Sequence, residues 1–167
     1  LILILVLITC FSKNLIGEEL NSKIENYIKN LNFFSSKFIQ VNGFDLEEGY
    51  IYIKDNKIRL DYFSPNRTLK ISEKKGVYIN HELKEEEFFS TEKNIIKIFY
   101  DVFLDSNFFS SLVYEKKQEE IIFKKLIKED SNETYLTIFF ENNPLVLRKV
   151  IAEMGDEIIS ISFNEHK

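Results

Sequence analysis

The stretch EGYIYIKDNKIRLDYFSP, residues 48–65, decides the fold class of this chain. Isoleucine alternates with tyrosine before the polar turn Asp55-Asn56-Lys57, and apolar residues alternate with Arg59 and Asp61 after it. Successive side chains of a strand point to opposite faces, so a period of two is typical of strands. Two such runs joined by a short polar turn predict an antiparallel hairpin, which ends at the pair Ser64-Pro65.

The period of two continues on both sides of this hairpin. A strand that begins at Phe38 and ends near Gly43 is expected before it. Short polar connections between the later runs favour antiparallel pairing of consecutive strands. The later expected strands contain Leu69 and Ile71, Val77 and Ile79, and Phe88 and Phe89, and then span Ile121–Lys128, Thr134–Glu141, Leu145–Ala152 and Ile158–Phe163.

Two segments have other patterns. Apolar residues recur at helical spacing between Leu20 and Leu31, which predicts one amphipathic helix from about residue 18 to residue 31. Residues 95–104 are almost all apolar, and the i, i+4 pair of Lys97 and Asp101 favours a short helix there. Their β-branched and aromatic side chains are also compatible with a strand.

About ten strands and two helices predict a mainly β fold of the α+β kind. We expect a strongly curved antiparallel sheet that forms an incomplete β-barrel. A helical lid, made of the N-terminal helix and the mid-chain helix, is expected to close its concave side. The length of 167 residues predicts a single domain, which we place at residues 18–167.

The N-terminal segment predicts export. Residues 1–9 are apolar except for Thr9, and with Cys10 and Phe11 the run has the length of a signal-peptide core. It is far shorter than the ~20 residues of a membrane span. We therefore assign residues 1–17 to an export signal, with lipidation of Cys10, the only cysteine, as the alternative.

The sequence carries no recognisable catalytic or metal-binding motif. It has no G-x-S-x-G elbow, no histidine pair at metal spacing and no glycine-rich phosphate loop. A net charge of -5 without a basic stripe gives no attraction for nucleic acid. We expect a protein that is not an enzyme and has no catalytic residue, metal, cofactor or nucleic-acid partner. Arg59 is expected to point outward and pair with Asp61 or with a glutamate of a neighbouring strand, and His81 to lie on the surface.

Several runs resemble the outer-membrane lipoprotein carrier (LolA) family. FIQ at 38–40 is similar to the family's F-x-Q strand, and GYIYIK at 49–54 to the first arm of its hairpin. RLDYFSP at 59–65 is similar to the return arm. The likeness covers roughly residues 20–163, in the same order and spacing. Its later parts are residues 69–80, 136–141 and 144–149.

The resemblance implies a periplasmic carrier that binds lipids and acts as a chaperone in outer-membrane biogenesis. It implies a monomer that receives acylated lipoproteins from an inner-membrane ABC transporter (LolCDE-like) and delivers them to an outer-membrane receptor (LolB-like). A buried methylene is worth ~0.8 kcal/mol, so acyl chains need shelter to cross water. Many members carry Arg-Pro where this chain has Asp55-Asn56, so the release role of that arginine is not carried over.

Strand parity and the matched positions together give the candidate cavity residues of the sheet, and Phe99 and Phe103 are added because they would lie under the lid helix. Ordinary core packing is the alternative for each of them. The other functions that remain open are a lipidated receptor of the same fold, a secreted β domain with a structural role, and an enzyme that uses scattered carboxylates. The candidate acyl-binding residues are Phe38, Ile58, Leu60, Tyr62, Leu69, Ile71, Phe99 and Phe103.

Overall fold

A computed structural model gives the fold. The expected export segment, residues 1–17, and with it Cys10, lies outside the described residues. Within the described part, no helix is both long enough and apolar enough to cross a bilayer. The structure describes residues 19–31, 33–92, 95–109, 113–129 and 132–166.

In the described residues, eleven strands form one antiparallel sheet in the order β6-β5-β4-β3-β2-β1-β11-β10-β9-β8-β7. Pairing of β1 with β11 joins the N-terminal and C-terminal halves of the sheet, and β6 and β7 are its two edges. The sheet is therefore not closed, which confirms the expected incomplete barrel. The strands are β1 (Phe34–Asn42), β2 (Asp45–Lys54), β3 (Lys57–Tyr62), β4 (Arg67–Ile71), β5 (Lys75–Asn80), β6 (Glu85–Ser90), β7 (Tyr114–Lys117), β8 (Glu120–Glu129), β9 (Asn132–Glu141), β10 (Val146–Met154) and β11 (Glu157–Asn164).

The predicted hairpin at residues 48–65 is confirmed as β2 and β3. Its turn residues Asp55 and Asn56 have φ angles of 51° and 55°, the left-handed values that a two-residue hairpin turn of type I′ requires. Ile51 pairs with Leu60 across the hairpin, and both are buried on the concave face of the sheet. Arg59 lies on the opposite, convex face, where its Nε donates to Asp61 Oδ1 at 2.8 Å, as the sequence predicts.

Gly49 of β2 allows a close approach inside the concave face. A Cβ at this position would lie 2.8 Å from the ring of Phe38 and 2.1 Å from the carbonyl oxygen of Asp61. The ring of Phe38 therefore covers Gly49 and meets Tyr62 edge to face at 5.1 Å between centroids. These contacts build the floor of the concave face between β1 and β3.

Helices cover the concave face. The described part of helix α1, residues 19–29, buries Leu20, Ile24 and Ile28. A register shift in β10 frees the backbone N–H of Leu147, which donates to Tyr27 Oη at 3.1 Å and ties α1 to the sheet. The second helix, α2 (Ile95–Leu104), confirms the helical prediction for residues 95–104, and a 3-10 turn follows at Ser106–Phe109.

Sequence reasoning misplaced some strand ends. Strand β1 begins at Phe34, four residues before the expected Phe38, because Phe34 and Ser36 keep the alternating burial of the strand. Strand β7 was not expected, since its Tyr114–Lys117 is short and mostly charged. The acidic run Glu85–Glu87 lies on edge strand β6, where charge discourages pairing with other chains.

Candidate ligand site in the concave face

An apolar slot of about 160 Å³ lies between α2 and the concave face of the sheet. Strands β3 and β4 form one wall, β9 to β11 form the other, and the first half of α2 forms the roof. Its lining is Gln40, Leu60, Tyr62, Leu69, Ile71, Ile95, Ile96, Ile98, Phe99, Leu136, Val150, Ala152, Ile159 and Ile161.

Five of the eight candidate residues line this slot together. Leu60 and Tyr62 of β3 face it beside Leu69 and Ile71 of β4, and Phe99 of α2 closes it from above. The register pairs Leu60 with Leu69, so these two side chains are cross-strand neighbours. Strand parity, which placed all four sheet residues on one face, accounts for this grouping.

The other three candidates lie on the concave side but outside the slot lining. Phe38 forms the floor over Gly49, and Ile58, 1% exposed, lies one cross-strand pair further along β3. Phe103 belongs to α2 itself, where it is fully buried against Phe34 and Phe163, with ring centroids 6.4 and 5.3 Å away. Phe103 therefore holds the C-terminal end of α2 to the sheet.

Sequence reasoning missed the second wall of the slot. The late strands β9 to β11 contribute Leu136, Val150, Ala152, Ile159 and Ile161. The signal was available, because these positions alternate with partly or fully exposed residues on strands that the sequence predicted. The missing information was the pairing of β1 with β11, which brings the late strands next to the early strands of the sheet.

The two ends of α2 are held differently. At its C-terminal end, Phe103 meets Phe99 edge to face at 4.9 Å and joins Phe34 and Phe163. In the middle of the helix, Tyr100 Oη donates to the carbonyl oxygen of Asn56 at 3.1 Å, in the turn between β2 and β3. The N-terminal end is only half-buried, with Ile95 and Ile96 over the slot.

A polar corner adjoins the slot. Tyr62 Oη donates to Gln40 Oε1 at 3.1 Å, and the guanidinium of Arg67 lies 4.2 Å from the centroid of the Tyr62 ring. Arg67 Nη2 in turn donates to Glu47 Oε2. Burial raises the pKa of Tyr62 to about 12, so its hydroxyl keeps its proton at neutral pH. We call Gln40, Glu47, Tyr62 and Arg67 the polar corner.

Another part of the concave face is filled by aromatic rings. Phe109 of the 3-10 turn packs against Phe123 of β8 and Phe140 of β9, and Phe108 packs against Phe109, with neighbouring ring centroids 5.3 to 5.9 Å apart. We call these four residues the phenylalanine cluster. A larger groove of about 690 Å³ lies on the convex side. It is open and is lined both by charged residues such as Arg59 and Lys70 and by apolar residues such as Val77 and Phe88.

The slot offers a ligand mainly apolar contacts. Among its lining residues, the polar side chains are Gln40 and Tyr62. Within residues 19–31, 33–92, 95–109, 113–129 and 132–166, no three His, Cys, Asp or Glu side chains converge as a metal site would require. His81 is exposed in the turn after β5, with Nε2 2.9 Å from Thr68 Oγ1.

Comparison with known proteins reveals a similarity of fold alone. No protein-family model matches the chain, and no curated protein matches it. Among solved structures, it is similar to an uncharacterized conserved protein from Thermus thermophilus. The two share 9% sequence identity with a TM-score of 0.56, over 90% of this chain and 86% of that chain. At this identity, the likeness establishes a shared fold.

Proposed function

We propose that this protein is a carrier that shelters the acyl chains of lipoproteins in its concave face and shuttles them across the periplasm. The observation that carries the proposal is the apolar slot beneath α2, in a sheet that stays open at β6 and β7. A curved sheet with a removable helical cover offers an acyl chain apolar walls and an exit. The order of strand motifs shared with the lipoprotein carrier family supports the same role.

The slot must widen to accept an acyl chain. Its volume of about 160 Å³ is below the ~300 Å³ at the lower end of small-molecule pockets. Because Phe103 anchors the C-terminal end of α2, we expect the N-terminal end, with Ile95 and Ile96, to lift. The space under α2 then joins the slot, and the acyl chain of the ligand occupies the volume that the side chains of α2 had filled.

The energies of opening and loading can be compared. Lifting the N-terminal end of α2 would expose buried Ile98 and Phe99, at a cost of about 4 kcal/mol. An acyl chain of about 16 carbons regains about 13 kcal/mol when its methylenes leave water. Burial of the acyl chain can therefore drive the opening of the slot.

Release of lipoproteins from spheroplasts tests the proposal directly. Purified protein is added to spheroplasts whose newly made lipoproteins remain in the inner membrane, and lipoprotein in the supernatant is measured. We expect release that depends on the amount of protein added. A supernatant without lipoprotein at any concentration would refute the carrier role.

A fluorescent residue on α2 tests the opening. The chain contains no tryptophan, so Phe99→Trp introduces a single reporter over the slot. We expect its emission to shift when an acylated ligand is added, because its surroundings change from protein to acyl chain. Tyr52→Trp, on the exposed convex face of β2, is the matched control and should not respond.

A structural β domain is the second candidate function. It is favoured by the small volume of the slot and by the dense packing of the phenylalanine cluster. This alternative predicts that no alkyl ligand binds and that the Phe99→Trp reporter stays unchanged.

A further inference from the structure

The polar corner lies where two pairs of strands place polar residues on the concave face. Arg67 is opposite Tyr62 in the register of β3 and β4, and Glu47 is opposite Gln40 in the register of β1 and β2. Arg67 shares its face with Leu69 and the other slot residues of β4, since side chains two apart point the same way. An ion pair therefore occupies a face that is mostly apolar.

We propose that the polar corner binds the oxygen-bearing head of an acyl group while its alkyl chain lies in the slot. The head is a carboxylate or the carbonyl of an ester or amide. This inference rests on the proposed carrier function and deepens it by naming the chemistry that the site recognises.

The polar atoms of the slot fix the orientation of such a ligand. Gln40 and Tyr62 are the two polar side chains among the lining residues, and they are hydrogen bonded to each other at 3.1 Å. The ring of Tyr62 also contacts the guanidinium of Arg67 at 4.2 Å. A ligand that leaves its polar end at any other wall would bury that end against leucine and isoleucine, which costs free energy.

Arg67 decides that the head is a hydrogen-bond acceptor. Its guanidinium carries five N–H donors and no acceptor. It is held between the rings of Tyr62 and Tyr78, with centroids 4.2 and 5.8 Å away, and its side chain is 20% exposed. Hydrogen bonds from guanidinium to carboxylate or carbonyl oxygens are strong when water is partly excluded. A cationic head would be repelled by the same group.

Glu47 competes with the ligand head for the guanidinium of Arg67. Its carboxylate accepts from Arg67 Nη2 and its side chain is 19% exposed. A partly buried ion pair gives little net stability, because desolvation of both charges offsets their attraction. The guanidinium can thus exchange Glu47 for a ligand oxygen. Removing Glu47 should favour an anionic ligand, whereas removing Arg67 should disfavour it.

Displacement of a fluorescent alkyl probe tests the inference with three ligands of equal chain length. These are dodecanoate, methyl dodecanoate and dodecyltrimethylammonium, each used below its micelle concentration. We expect Arg67→Gln to weaken dodecanoate about tenfold, the range for a hydrogen bond to a charged group. The same variant should weaken binding of the methyl ester about threefold, and it should leave binding of the cationic ligand unchanged or make it tighter. We expect Glu47→Gln to tighten dodecanoate several-fold.

The opposite changes in dodecanoate affinity expected for Arg67→Gln and Glu47→Gln distinguish a role in ligand recognition from a role in folding. An ion pair that only stabilises the fold would, when either partner is removed, shift all three ligands in the same direction, and that result would overturn the inference. Equal affinities in Arg67→Gln and the unaltered protein would overturn it as well. Arg67→Lys keeps the charge and should retain part of the preference for dodecanoate, which guards against a folding defect in Arg67→Gln.

The experiment distinguishes a free fatty acid from an esterified or amide-linked acyl group, and it distinguishes failure of the polar corner from failure of the carrier function. An effect on dodecanoate alone supports a free carboxylate as the head, and an effect on both dodecanoate and its ester supports any acyl head, including that of a lipoprotein. Failure of the unaltered protein to bind the probe or any of the ligands would refute the carrier function itself. Probe binding without selectivity for the head would refute only the role of the polar corner.

Discussion

The phenylalanine cluster and the slot are two regions of one concave face with opposite packing. In the cluster, Phe109, Phe123 and Phe140 are fully buried, with ring centroids 5.4 to 5.9 Å apart. In the slot, about 160 Å³ stays unfilled. Strand β9 runs through both regions, with Phe140 in the cluster and Leu136, four residues earlier on the same face, in the slot.

Residue size and the type of cover explain the difference. Large rings reach across the cluster from both sides, and Tyr27 of α1 packs edge to face on Phe140 at 5.9 Å. The slot is lined instead by smaller side chains, among them Ala152 and Val150, and its cover is the half-buried N-terminal end of α2. The comparison suggests that the cluster holds the sheet in shape while the slot keeps room that a ligand can enlarge.

A charge in the slot should have the largest effect on function. We expect Leu60→Glu or Leu69→Glu to abolish binding of the alkyl probe, because a carboxylate there must be hydrated or stay unpaired among apolar atoms. Leu69 is only half-buried, so its variant tests binding even if Leu60→Glu does not fold. Lys70→Glu, next in sequence but exposed on the convex face, is the control. Normal binding by Leu69→Glu would show that the ligand does not use the slot.

Equal truncations in the two regions should differ in stability. Leu147, fully buried near the phenylalanine cluster, and Leu136, 2% exposed in the slot, can each be changed to alanine. We expect Leu147→Ala to lower the free energy of unfolding by about 4 kcal/mol. Leu136→Ala should cost about 1 kcal/mol less, since a side chain beside a void has fewer contacts to lose. Urea denaturation measures both, and equal losses would contradict the contrast in packing.

Larger side chains should change the free energy of unfolding in opposite directions in the two regions. We expect Ala152→Leu to fill the slot and raise the free energy of unfolding by up to about 1 kcal/mol, as cavity filling commonly does. The same change should weaken the alkyl probe several-fold, because the side chain occupies its space. Ile121→Phe, at a fully buried position of β8, should instead cost about 1–3 kcal/mol through overpacking. Tighter probe binding by Ala152→Leu would place the ligand elsewhere.

Local patterns predicted most of the fold. The period of two in residues 48–65 was sufficient for the hairpin and for the face on which Leu60 and Tyr62 lie. The apolar face of residues 95–104 was sufficient for α2. These features depend on neighbours in the sequence, where the physical rule of side-chain alternation or helical spacing acts directly.

The complete site depends on distant pairing, which local patterns do not contain. Gln40 and Ile161 meet only because β1 pairs with β11, and the sequence gives no register for strands so far apart. Arg67 was overlooked although it lies two residues before Leu69 on the same face, because an arginine in a predicted strand is ordinarily assigned to solvent. Its burial follows from its partners Glu47 and Tyr62, on strands whose pairing had first to be known.

The smallest expected effect concerns His166, beside the anchored end of α2. Its ring lies 5.2 Å from that of Phe34, which contacts Phe103, and within the described residues neither ring nitrogen has a hydrogen-bond partner. Burial, aided by the charge of Arg148, lowers the pKa of His166, while Glu141 opposes this shift. The unfolded chain binds this proton more readily, so the stabilising contribution is complete above the ordinary histidine pKa of about 6.5 and is lost as pH falls.

We therefore expect a modest decrease in the free energy of unfolding from pH 7 to pH 5.5, part of which disappears in His166→Gln. His81→Gln is the matched control, because these are the two histidines of the chain and His81 is exposed in its turn. In the same pH range, the Phe99→Trp reporter should detect a looser α2, since protonation disturbs Phe34 and through it Phe103. A decrease of the same size in His166→Gln would assign the pH dependence to other groups and leave the anchor of α2 insensitive to pH.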